Sequence, residues 1–160
     1  MMGNTLRSSF ADAVTAFVSL FWAGALAGVS FLATPVKFQA TSLDLPVALE
    51  VGKVTFAAFT RCELGLAALL AISVLLSQAP KPVKACAVVA VGLVAMQALW
   101  LLPVLDGRID ALIAGRPLAP SPHHMLYAIA EGVKLLLLCA VALVSLARLG
   151  LRSRAAAVSA

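Results

Sequence analysis

Charge is scarce in this chain. Only 12% of its 160 residues are Asp, Glu, Lys or Arg, against about a quarter in a soluble domain. No polar stretch is long enough to support a separate soluble core. Paired thiols are lacking too: Cys62, Cys86 and Cys139 each sit in an apolar run with no CxxC partner. That spacing argues against a zinc site, a disulfide framework or a dithiol redox enzyme, and the three read as small packing residues. Walker loops, nucleophile elbows, HExxH and dinucleotide fingerprints do not occur, so nothing marks a cofactor, a metal or a catalytic centre. The net charge of +5 has neither the basic stripe nor the interleaved aromatics of a nucleic-acid surface, and no nucleic-acid partner is expected.

Hydrophobicity is what the chain has in quantity. Apolar residues make up 62% of it, and its mean hydropathy is +1.05. Four apolar runs stand out, at about 13–33, 54–76, 83–102 and 126–149. A helix of ~20 residues rises ~30 Å, the thickness of the hydrocarbon layer. The first run also resembles the core of a secretory signal, because Arg7 precedes it and Ala25–Ala27 looks like a cleavage site, but its length favours a retained span. Pro35, Pro46, Pro80, Pro82, Pro103, Pro117, Pro120 and Pro122 all fall outside or at the edges of these runs, where a missing amide donor does least harm. The alternating pattern of barrel strands is absent. The expected fold is therefore all-α, an integral membrane four-helix up-down bundle forming one domain over residues 1–160, with the lipid bilayer as its partner.

Loop charges set the expected orientation. The N-terminus, the 78–84 turn and the C-terminal tail hold six basic residues (Arg7, Lys81, Lys84, Arg148, Arg152, Arg154), against Lys37, Lys53, Arg108 and Arg116 on the other side. Both termini are placed in the cytoplasm. Trp100 and Tyr127 then fall near the outer ends of their spans, as interfacial aromatics do. Asp12 reads as a cap of the first helix. Gly24 and Gly28 form a GxxxG face, whose expected use is close helix packing within the monomer.

Ionisable residues inside the spans carry the functional signal. Arg61 and Glu63 in the second span, Gln97 in the third, and Glu131 and Lys134 in the fourth lie at one expected depth, just below the outer surface. An unpaired charge deep in a bilayer costs about 2.5–3.5 kcal/mol, so pairing of Arg61 with Glu131, or of Glu63 with Lys134, is expected through contact of helices two and four. Arg61 and Glu63 point about 200° apart on an ideal helix, so both cannot face one partner. Above this layer the third loop supplies Asp106, Arg108, Asp110, His123 and His124. His124, Tyr127, Glu131 and Lys134 share one helical face, which would line a polar pocket closed by Lys37, Glu50 and Lys53.

Three readings of these residues compete. They form internal ion pairs that hold the helices in register, a site for a small solute, ion or proton, or a metal or catalytic site. Adjacent His123 and His124 point to different faces and make a poor ligand pair. The working reading is binding or transport of a small solute or ion, with Arg61 and Lys134 attracting an anionic group and Glu63 and Glu131 balancing or relaying protons. The alternative is a non-catalytic accessory or scaffold protein whose charges only fix packing; a membrane enzyme ranks behind both. Association into a homo-oligomer or with another membrane subunit is expected from the small size of a four-span chain.

The segment Gly28 to Phe38, Gly-Val-Ser-Phe-Leu-Ala-Thr-Pro-Val-Lys-Phe, followed by Phe56 and Glu63, resembles a family of small bacterial four-span membrane proteins known as a domain of unknown function. The resemblance covers roughly the first half of the chain. It implies a four-helix fold in a bacterial inner (plasma) membrane and no settled activity. Leu105–Arg108 and His123–Tyr127 have no counterpart in it.

Overall fold

The computed structural model describes the backbone of residues 2–158 and the side chains of residues 7–155 and 157. The fold is an all-α four-helix bundle, without strands among the described residues. Helix one is Met2–Leu26, continued without a break by a π-helical segment Ala27–Ala33, one α turn Thr34–Val36 and a 3-10 turn Lys37–Gln39. Helix two is Leu45–Leu76. Helix three is Lys81–Met96, continued by a π-helical segment Gln97–Leu101 and the α-helical Leu102–Ile113. Helix four is His123–Val158.

All four are long and apolar enough to cross a membrane, each 32 or 33 residues long with an 18-residue stretch of mean hydropathy 1.8 to 2.3. Their surface is inverted relative to a soluble bundle. Phe10, Phe17, Leu75, Leu99 and Leu136 are exposed, whereas Asp12, Glu63, Gln97, Glu131 and Lys134 are each 1% exposed or less. Helices of this length also correct the expected boundaries. Residues 105–110 belong to helix three and not to a loop, because helix three passes Pro103 through its π segment. It ends at Gly115, whose φ of 69° lets Gly115 N donate to Leu112 O and Arg116 N to Ala111 O, the paired bonds of a Schellman stop. Pro46 and Pro82 sit in the first turns of helices two and three, where no amide donor is needed.

Each helix packs against its neighbour in sequence, and helix four closes the ring on helix one through the most extensive interface. Helices two and four thus lie across a diagonal, and the contact expected between them is made by side chains, Glu63 with Lys134. The apolar core, with Val18, Leu26, Leu70, Val94 and Leu138, fills the half of the bundle nearer the termini. Two further expectations fail here. Asp12 is buried in the body of helix one and is no cap. A Cβ added at Gly24 or Gly28 would meet nothing within 4 Å, so this pair makes no close approach within the bundle.

Candidate functional site: a buried carboxylate pair under an open cavity

Lys134, fully buried, lies between two equally buried acids. Its Nζ is 2.6 Å from Glu63 Oε1 and 2.7 Å from Glu131 Oε1. Glu131 is three residues before Lys134 on the same helix, so that pairing is local. Glu63 is reached across the diagonal. Trp22 Nε1 donates to Glu63 Oε1 at 2.9 Å, Gln97 Nε2 to Glu131 Oε1 at 2.9 Å, and Ser30 Oγ to Glu131 Oε2 at 2.6 Å. Every helix of the bundle contributes at least one member.

Both neutral donors to Glu131 come from the π-helical segments, Ser30 from 27–33 and Gln97 from 97–101. Each segment runs into a proline, Pro35 or Pro103, in the following turn. Proline cannot donate to the carbonyl one turn back, and widened turns of this kind recur at functional positions. In helix one, Val29 O accepts from both Thr34 N and Thr34 Oγ1, which keeps the wide turn satisfied and leaves Ser30 turned inward.

Two carboxylates and one ammonium sum to one negative charge. In a low-dielectric interior such an excess is costly, and a proton or a small cation on the cluster removes it. The two acids are not equivalent in this respect. Glu131 accepts on both oxygens, while the donors to Glu63, Lys134 and Trp22, converge on Oε1. A proton on Glu63 Oε2 leaves both of those bonds in place.

At the end opposite the termini, a cavity of about 670 Å³ opens directly above this cluster. Ser30 and Tyr127 form its floor; Phe31, Phe38, Phe56 and Leu105 line its walls, with Lys37, Lys53, Asp106, Arg108 and His124 about it. Ser30 is therefore shared: it lines the cavity and donates to Glu131. The hydroxyls of Tyr127 and Thr60 neighbour each other but fall short of hydrogen-bond geometry and are otherwise unpartnered. Lys53 pairs with Asp110 at 2.5 Å, and Arg108 donates to Ala119 O at 2.6 Å.

The residues singled out in the sequence divide as follows. Glu63, Gln97, Glu131 and Lys134 meet in the buried cluster, and Asp106, Arg108, His124 and Tyr127 line the cavity. Of the expected pairs, Glu63 with Lys134 forms and Arg61 with Glu131 does not, because Arg61 is exposed on the opposite face of helix two. Tyr127 is 5% exposed, a core residue and not an interfacial one. His123 turns aside, bonded to Ser121 and edge-on to Trp100 at 6.0 Å. Lys37 and Lys53 line the cavity, and Glu50 does not. The layer lies mid-length in helices two and three.

Ser30 and Trp22 were missed, being ordinary residues of membrane helices. So was a second buried cluster near the termini, where Asp12 holds Arg152 at 3.2 Å and Arg148 at 3.4 Å. No grouping of three or more metal-ligating side chains occurs among the described residues. Compared with known proteins, the chain matches no family model, no curated protein and no solved structure.

Proposed function

We propose that this protein, set in a bacterial inner membrane with both termini cytoplasmic, binds a small solute in its outward-facing cavity together with a proton at the Glu63–Lys134–Glu131 cluster, and moves the two in transport. One observation carries the reading: Ser30 joins cavity and cluster, so whatever alters the Ser30 hydroxyl from above alters the hydrogen bonding of Glu131 below. The excess negative charge of the cluster supports a proton as the second ligand. Lys134, saturated by two acids, is not read as the anion-attracting group, and exposed Arg61 is read outside the site.

The test is Glu63→Gln in reconstituted vesicles, with proton movement read by an internal pH dye. Glutamine keeps an acceptor for Lys134 and Trp22 and places an amide where the proton would sit, so the variant is expected to fold normally and to lose proton movement. Unchanged proton movement sinks the reading.

A second reading, an accessory or scaffold protein, draws on the ion pair between helices two and four, whose backbones are not neighbours. It expects a neutral variant, Glu63→Gln with Glu131→Gln and Lys134→Met, to keep all cellular function, since well-packed neutral groups replace buried ion pairs at little cost. Partners enter the proposal through Arg61. A charge on the lipid-facing side at the middle of a span costs about 2.5–3.5 kcal/mol, and a second copy or another membrane subunit would cover it.

A further inference from the structure

We propose that the cavity takes a single amphiphilic monoanion, of the class of an alkyl or aryl carboxylate, with its head at Lys37 and its body against the aromatic wall. This rests on reading the cavity as a solute site. A volume of about 670 Å³ lies within the ~300–1,000 Å³ of small-molecule pockets. Its walls are apolar, so the body of the ligand is apolar.

Charge selects the head. The lining carries three cations, Lys37, Lys53 and Arg108, and one acid, Asp106. Asp110 neutralises Lys53, and Arg108, held by Ala119 O with no ion-pair partner among the described residues, adds to the positive field of the lining. Lys37 has no ion-pair partner among the described residues; its ammonium lies 5.0 Å from the centre of the Phe38 ring. A free cation beside an apolar, aromatic-walled cavity suits one anionic head on an apolar body. A cationic amphiphile would meet Lys37 unfavourably.

Gly52 fixes the position of that head group. A Cβ at Gly52 would collide with Lys37 Nζ, so the ammonium rests directly on the backbone of helix two. Gly52→Val displaces the ammonium while keeping its charge, and the flexible end of the lysine can swing aside without disturbing the bundle.

The experiment is calorimetric titration of the protein in phosphatidylcholine nanodiscs, against empty nanodiscs, with dodecanoate, naphthoate and dodecylammonium. Saturable binding of either acid is expected, weakened at least tenfold by Lys37→Gln and by Gly52→Val and restored by Lys37→Arg. Tight dodecanoate with weak naphthoate assigns the anion to the bilayer, and the reverse assigns it to the aqueous phase. Tighter binding of dodecylammonium overturns the anion assignment and leaves the solute cavity standing. Absence of binding by all three overturns the proposal, while proton movement through Glu63, measured in the same preparation, decides the transport reading separately. Acid binding indifferent to both Lys37→Gln and Gly52→Val also overturns it.

Discussion

At the scale of single residues, Lys134 is the member of the cluster whose loss should hurt most. Lys134→Ala leaves two carboxylates facing each other with no other ion-pair partner among the described residues. Breaking a buried pair from one side costs about 3–5 kcal/mol, and a comparable loss of unfolding free energy is expected in detergent. Glu63→Gln leaves a balanced pair, Glu131 with Lys134, and should cost far less. These residues were legible in the sequence because ionisable groups in apolar runs are rare enough to stand out. Choosing between Arg61 and Glu63 was not possible from spacing alone: the two point apart, but only packing decides which one faces inward. Ser30 and Trp22 were illegible for the opposite reason, since serine and tryptophan abound in membrane helices and only a buried acceptor gives them a role.

At the scale of elements, the π-helical segments decide which residues reach the site. Deleting Ala33, an exposed residue of the first segment, should return that turn to α geometry. Each residue of an α-helix turns ~100°, so everything beyond the deletion rotates by that amount. Lys37 should leave its seat on Gly52 while Ser30 and Trp22, on the near side, keep their bonds. The expected result is lost dodecanoate binding with nearly unchanged melting. The widened turns could not be read from the sequence. Pro103 resembled the edge of a span, and Asp106, Arg108 and Asp110 resembled a loop. A helix that has left the hydrocarbon tolerates both, provided a wide turn absorbs the proline.

At the scale of the whole molecule, the count of helices and their up-down order were legible, because continuous apolar runs have few other uses. Their true length was not, because residues beyond the hydrocarbon carry no apolar signature. Helix two, with 32 residues, is about 48 Å long, well beyond the ~30 Å of a bilayer core. With the cysteines of the native chain replaced, Arg116→Cys is expected to react with an impermeant maleimide on intact cells, and Lys81→Cys only after permeabilisation; the reverse pattern would invert the topology. The bond from Lys134 to both acids has a mechanical consequence at this scale. One partner, Glu131, rides on the same helix as the lysine, and the other, Glu63, stands across the bundle. A proton gained by Glu63 weakens the one ionic strut across that diagonal among the described residues and leaves the lysine tied to its own helix. The cluster then works as a latch, closed when Glu63 is ionised and loosened by the same proton that the transport reading requires it to carry.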